Sequence, residues 1–251
     1  MAEEIRVAVL GAGGRMGSEA VKAVEAAGDM DLVAALGRGD SLARLTESGA
    51  THVVDLTVPE ATEVNVHFAV ERGIHAVVGA TGWNGQRLAA LEQKLTEHDD
   101  ATGVLIAPNF ALGSVLASAF AAQAAKYFES AEIIELHHPE KMDAPSGTAV
   151  RTAELMAAAR GEAGTGPSPD ATQTQLEGAR GAEVAGIRVH SVRLRGLVAH
   201  QEVLLGSVGE QLTFRHDSFD RASFMPGVLL GLRTVGSRPG LTHGLDGYLD
   251  L

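Results

Sequence analysis

The sequence predicts an α/β protein: a doubly wound parallel sheet joined to a second, separate α+β unit. Three observations carry that reading. A β-rich run, Ile5–Leu10, leads straight into a glycine-rich turn and then a helical pattern through Ala27. Apolar strand-like runs then alternate with stretches of helical spacing as far as Ala107, and such alternation implies a parallel sheet. Between Ile187 and Arg215 strand-like runs follow one another without long helices, the pattern of an antiparallel or mixed sheet.

The first turn, Gly11-Ala12-Gly13-Gly14-Arg15-Met16-Gly17, places glycines at 11, 14 and 17, with Met16 where the third glycine of G-x-G-x-x-G would stand. Gly11 permits the tight turn, the next glycines let backbone amides approach a pyrophosphate, and Gly17 lets the helix lie close on the strand. Strand, glycine turn and helix in that order are Rossmann-like. Further strands are expected at Leu32–Leu36, Val53–Val58, Ala76–Gly79 and Val104–Ala107, with helices at Ala61–Arg72 and Gln86–Glu97 between them. Ligands of such sheets lie outside the carboxyl ends of the strands. The turns Gly79-Ala80-Thr81-Gly82 and Ala107-Pro108-Asn109-Phe110 are therefore expected to line a dinucleotide cleft.

Enzymes that prefer NAD often carry a carboxylate after the second strand, about 20 residues past the glycine turn, for the ribose 2′-hydroxyl. Here Gly37 occupies that place and Arg38 follows. A guanidinium suits the additional phosphate of NADP. With no acid at Gly37 to repel it, NADPH is expected to serve at least as well as NADH.

In the second half, Gly113–Tyr127 reads as a helix leading out of the nucleotide domain, and Ala131–His138 as a strand that delivers His137 and His138. Pro145 and Ser146 fall where a helix begins. Ser146 is placed to cap it, leaving the Gly147 and Thr148 amides free for a ligand. His137, His138 and Lys141 set three potential cations just ahead of that helix start, a device for gripping an anion such as a carboxylate. The helix runs from Gly147 to about Arg160, and residues 161–181, rich in Gly, Pro, Ser and Thr, read as a surface loop. Strands are expected at Ile187–Leu194, Gln201–Gly206 and Gln211–Arg215. A helix over Ser223–Val235 then packs back on the first domain. The expected division is 1–110 plus 217–251 for the dinucleotide, and 111–216 for substrate binding and oligomerisation.

Composition narrows the function classes. The 251 residues are enough to bury a sizeable core, and 45% hydrophobic with 21% charged residues describes an ordinary globular protein. An aromatic share of 4% and a net charge of −12 argue against nucleic acid as partner. A small anion remains compatible, because a local basic cluster decides that. No cysteine is present, which excludes disulfides, thiolate catalysis and cysteine-ligated zinc. The acidic start Met1-Ala2-Glu3-Glu4 lacks the basic and apolar regions of a signal peptide, and the apolar tract Ala111–Ala122 is too short to span a bilayer. A cytoplasmic protein without a membrane partner is the expectation.

The glycine turn, the Gly-Ala-Thr-Gly and Ala-Pro-Asn-Phe turns, and the stretch Glu135-Leu136-His137-His138-Pro139-Glu140-Lys141-Met142-Asp143-Ala144-Pro145-Ser146-Gly147-Thr148 occur in order. With them the chain resembles the 4-hydroxy-tetrahydrodipicolinate reductase (dihydrodipicolinate reductase) family over nearly its whole length. Gly178-Ala179-Arg180-Gly181 and His190-Ser191-Val192-Arg193 add to the likeness. The resemblance implies reduction of a cyclic imine dicarboxylate by NADPH or NADH with loss of water, a step toward diaminopimelate and lysine. It implies that His137 is the general acid/base, that Lys141 donates a proton, and that His138, Lys141, Gly147 and Thr148 bind the carboxylates. It further implies dinucleotide contacts from Gly11, Ala12, Gly13, Gly14, Arg15 and Met16, from Gly79, Ala80 and Thr81, and from Ala107, Pro108, Asn109 and Phe110. A homotetramer joined through the second domain's sheets belongs to the same implication, and domain closure on ligand binding is expected because hydride transfer must bring the substrate site of one domain to the nicotinamide on the other.

Other readings are weaker. Another dehydrogenase of amino-acid-like substrates fits the first half but not His-His-x-x-Lys, and a silent dinucleotide sensor would lack the proton donors His137 and Lys141. A metal hydrolase is disfavoured because adjacent strand residues point to opposite faces, so His137 and His138 do not share an ion and no metal is expected.

Overall fold

The computed structural model describes residues 4–98 and 101–249. The chain divides into two compact units, Met1–Ala111 with Arg221–Asp250, and Leu112–Asp220. In the first unit β1 (Ile5–Leu10), α1 (Arg15–Ala26), β2 (Met30–Leu36), α2 (Ala43–Glu47), β3 (His52–Asp55), α3 (Thr62–Val70), β4 (His75–Val78), α4 (Gly85–Glu97) and β5 (Gly103–Ile106) alternate along the chain. The second unit holds α5 (Leu112–Ala125), β6 (Ser130–His137), α6 (Gly147–Glu162), β7 (Ala182–Val184), β8 (Ile187–Arg193), β9 (Ala199–Ser207) and β10 (Glu210–Ser218). The chain then returns to the first unit as α7 (Met225–Val235) and β11 (Gly240–His243).

The first sheet has six strands in the order β11-β5-β4-β3-β1-β2, every pair parallel. Residues of β1, β3, β4 and β5 are almost all buried, as expected of a parallel sheet covered on both faces. The order reverses between β1 and β3, and that switch point is where an open α/β sheet leaves a crevice. Gly17 makes the crevice possible: a Cβ there would stand 2.0 Å from the Gly11 carbonyl oxygen, so α1 rests directly on the turn. Gly11 itself has φ +80, the left-handed region that a glycine enters without strain.

The second sheet has five strands, β10-β9-β6-β8-β7. It is mixed, with β6 and β8 parallel and the other pairs antiparallel. Along β6 the burial alternates, so Ala131, Ile133 and Glu135 face the interior that α5 and α6 cover. Arg160, near the end of α6, is buried and donates to the carbonyls of Ala125, Phe128, Glu129 and Gly166. A cation placed on the last carbonyls of α5 satisfies groups that a helix end leaves open.

Several elements differ from the sequence expectation. Strand β3 stops at Asp55 rather than Val58, β10 continues to Ser218, and α2, β7 and β11 were not anticipated. A 3-10 turn, Arg221–Phe224, precedes α7.

Two consequences are measurable. Gly17→Ala forces α1 away from backbone atoms that cannot move aside, and is expected to cost about 1–3 kcal/mol while weakening dinucleotide binding; denaturant unfolding and a nucleotide titration check both. His52, buried at the start of β3, packs against His75 with ring centroids 5.0 Å apart and the planes tilted by 41°. Burial, and secondarily His75, push the His52 pKa down to about 4. The unfolded chain therefore takes up this proton at a higher pH than the fold does, and stability falls as the pH is lowered from about 6.5 toward 4. Denaturant unfolding across that range should show a shallower loss for His52→Gln than for the wild type.

Candidate active site

Two clusters of groups stand out, one in each unit. In the first, a cavity of about 600 Å³ opens at the β1/β3 switch point, lined by Gly11, Gly13 and Gly14 on one side and by Gly37, Arg38 and Asp40 on another. The amides of Gly11 and Ala12 both donate to the Leu36 carbonyl, at 2.9 and 3.0 Å, which ties the glycine turn to the end of β2. Helix α1 is preceded by Gly14 at its N-cap, with no capping side chain and no acid in its first turn. Its amino end is thus open to an anion. A cradle of glycines, a bare helix start and a cavity of this size fit a dinucleotide.

Asp55 shapes the opposite wall. Fully buried at the end of β3, it accepts the Thr57 amide at 2.9 Å and the Thr57 hydroxyl at 2.5 Å on Oδ1, and Asn65 Nδ2 at 3.2 Å on Oδ2. These bonds curl Leu56–Val58 out of the strand and into the cavity wall. Gly37 itself brings no acid, but Asp40, three residues on, brings one to the same cavity wall. Its Oδ2 accepts the Gly37 amide at 2.8 Å and its Oδ1 accepts Arg44 Nη1 at 2.8 Å. Those two donors hold the carboxyl below its usual range.

Of the expected cofactor residues, Gly11, Gly13, Gly14 and Arg38 line this cavity. Ala12, Arg15 and Met16 belong to the same turn and helix start. The stretch Gly79, Ala80 and Thr81 follows β4, and Ala107, Pro108, Asn109 and Phe110 follow β5, at the same carboxyl edge of the sheet but outside the lining of this cavity. Ala80, Ala107 and Phe110 are buried, and Thr81 and Pro108 are exposed.

The second cluster grows from β6. Residues two apart on a strand share a face, so Glu135, buried, sits beside His137, and Glu135 Oε2 lies 2.5 Å from His137 Nδ1. In the parallel register His137 is the partner of Arg193 on β8. Arg193 forks onto Glu135, with Nη1 and Nη2 each 2.8 Å from a carboxylate oxygen. The Ser146 amide donates to Glu135 Oε1 at 3.2 Å, and Ser146 Oγ accepts the Ala149 amide at 3.2 Å as the cap of α6. Burial would raise the Glu135 pKa, but hydrogen bonds from His137, Arg193 and Ser191 prevail and bring it to about 2.

His138 and Lys141 each have an acid of their own. His138 Nδ1 lies 3.1 Å from Glu140 Oε2, and Lys141 Nζ donates to Asp143 Oδ1 at 2.7 Å. Asp143 Oδ2 also accepts the Gly147 amide at 3.3 Å. The Gly147 amide expected to be free is therefore partnered, and Thr148 is engaged as well. The structure brings His137, His138, Lys141, Gly147 and Thr148 into one neighbourhood at the end of β6 and the start of α6. The sequence reading missed Glu135, Arg193 and Asp143 as members of it. Glu135 had a signal, an acid on the buried phase of an otherwise apolar strand. Among the described residues, no group of three or more His, Asp or Glu is arranged to hold a metal ion, and no helix is long and apolar enough to cross a membrane.

Known proteins match the whole chain. Family models described as "Dihydrodipicolinate reductase, N-terminus" and "Dihydrodipicolinate reductase, C-terminus" match residues 5–110 and 113–249. The chain is 63% identical over 248 residues to a 4-hydroxy-tetrahydrodipicolinate reductase of Streptomyces griseus subsp. griseus, covering 99% of each chain. It is likewise 63% identical to one of Streptomyces coelicolor, again over 99% of each. The solved structure of a dipicolinate-bound dihydrodipicolinate reductase from Paenisporosarcina sp. TG-14 superposes with a TM-score of 0.84 at 37% identity, over 98% of this chain and 100% of that one. With both domain models matched and relatives this similar end to end, the chain belongs to the dihydrodipicolinate reductase family.

Proposed function

We propose that this chain reduces 4-hydroxy-tetrahydrodipicolinate to tetrahydrodipicolinate with loss of water, using NADPH or NADH, on the route to diaminopimelate and lysine. The observation that carries the reading is the cluster of His137, His138 and Lys141 at the amino end of α6, in a chain whose relatives bear that enzyme's name. The dipicolinate bound to the Paenisporosarcina enzyme is a dicarboxylate, the chemical class such a cluster would hold. A homotetramer joined through the second unit's sheet and a cytoplasmic setting belong to the same proposal.

His138, Lys141 and the Gly147 and Thr148 amides bind the substrate carboxylates, taking them in exchange for Glu140 and Asp143. His137 serves as general acid/base and Lys141 as proton donor. When bound, the reduced nicotinamide supplies the hydride. Gly11, Ala12, Gly13, Gly14, Arg15 and Met16, the turns Gly79–Thr81 and Ala107–Phe110, and Arg38 hold the dinucleotide.

Asp40 bears on which dinucleotide is held. An exposed carboxylate beside Gly37 suits a ribose hydroxyl and repels a phosphate, whereas Arg38 and Arg44 attract one. Use of both cofactors is the balance these charges support.

Oxidation of NADPH and of NADH, followed by nicotinamide absorbance with freshly made product of the preceding synthase, tests the activity. His137→Ala and Lys141→Ala should each lower turnover roughly 10²- to 10⁴-fold and leave cofactor affinity nearly unchanged; wild-type turnover in both would end the assignment. Asp40→Asn keeps an acceptor for the Gly37 amide but removes the charge, and should lower the KM for NADPH roughly 3- to 10-fold relative to that for NADH, a shift of up to about 1.4 kcal/mol. Arg38→Ala should raise the NADPH KM, and an unchanged value would remove Arg38 from the cofactor site.

A further inference from the structure

Glu135 is a charged group in an expensive place. It continues the buried phase Ala131, Ile133 of β6, and none of its side chain reaches solvent. A carboxylate withdrawn from water costs several kcal/mol unless it is fully compensated. Its partners are Arg193 through two nitrogens, the Ser146 amide, His137 and Ser191. An ionised carboxylate accepts hydrogen bonds and donates none. The 2.5 Å contact with His137 therefore requires the imidazole proton to sit on Nδ1.

We propose that Glu135 is the positioning residue of this site: it holds His137 with Nδ1 protonated and leaves Nε2 as the atom that exchanges protons with substrate. The inference rests on the role given to His137 above and adds the group that orients it. A buried carboxylate behind an imidazole fixes its tautomer and steadies the imidazolium when one forms. Arg193 gives the arrangement its second property, because its fork fixes the carboxylate's orientation and offsets its charge.

The same carboxylate reaches the anion seat. Its Oε1 takes the Ser146 amide at the start of α6, and Arg193 Nη2 also donates to the Asp143 carbonyl at 2.7 Å. His137, the loop that carries Lys141 and the start of α6 at Gly147 are thus set from one point. A purely structural ion pair would share the burial and the bonds to Arg193 and Ser146, but it would have no bearing on which imidazole nitrogen is protonated.

The deciding experiment pairs Glu135→Gln with the imidazole nitrogen-15 spectrum of the wild type, in which His137 is assigned by its absence in His137→Gln. In the wild type, Nδ1 is expected to carry the proton. In Glu135→Gln, turnover should fall 10-fold or more, the KM for NADPH should stay unchanged, and the acidic limb of the turnover pH profile should move to lower pH as the carboxylate charge is lost. A wild-type His137 protonated on Nε2, or an unmoved acidic limb in Glu135→Gln, overturns the inference. Should Glu135→Gln fail to fold, the wild-type spectrum decides alone. Wild-type turnover in His137→Gln overturns the reading of the site itself, whereas an inactive His137→Gln with an unmoved limb in Glu135→Gln overturns only the role of Glu135.

Discussion

A carboxylate buried at the end of a strand has to be satisfied by the residues that follow it, and both units are organised by that constraint. Asp55 closes β3 and Glu135 lies two residues before the end of β6, each without exposure to solvent. Asp55 draws in the Thr57 amide and hydroxyl and the Asn65 amide nitrogen, and the chain beyond β3 becomes a wall of the cavity. Glu135 draws in His137, Arg193 and the Ser146 amide, and the chain beyond β6 becomes a loop returning to the start of α6. Leaving such a group unpaired costs more than most side-chain contacts return. The cavity wall after β3 and the histidine-lysine segment after β6 are therefore specified by the acids beneath them as much as by their own residues.

Close backbone approach is the second requirement, and it acts through what is missing from the side chains. Gly17 brings the start of α1 onto the Gly11 carbonyl, and the end of β2 accepts the amides of Gly11 and Ala12. Strand, turn and helix are fixed to one another before any ligand arrives. Little reorganisation is then needed to present a bare helix start to a phosphate.

The alternation of strands and helices was legible because burial on both faces of a parallel sheet forces continuous apolar runs, and the histidine-lysine segment was legible because its residue types are rare together. What escaped has a common cause. Val53–Val58 looks like one strand, yet Asp55 bends the chain in its middle through bonds to Asn65 on a later helix. The four residues of β11 become a strand only by pairing with β5, far away in sequence. Asp40 reaches back three residues to the Gly37 amide, a local reversal that strand-end spacing does not show. Glu135 was visible as an acid in an apolar phase, but its fork to Arg193 depends on the parallel register of β6 and β8.

The electrostatics of the histidine-lysine cluster follow from how exposed each acid is. The chain carries a net charge of −12, and His137, His138 and Lys141 are each paired with an acid from the same segment. Two of those acids lie near solvent, Glu140 with 71% and Asp143 with 56% of the side chain exposed, whereas Glu135 is at 0%. Exposed ion pairs contribute on the order of 0–1 kcal/mol, so exchanging Glu140 or Asp143 for a ligand carboxylate costs little, and both acids remain solvated when they leave. Removing Glu135 from its partners would strand charges in the interior at about 3–5 kcal/mol. On the loop side, therefore, His138 and Lys141 are weakly held, whereas His137 is firmly held from behind. That asymmetry lets a strongly acidic protein keep a basic cluster open to an anion without leaving its charges bare.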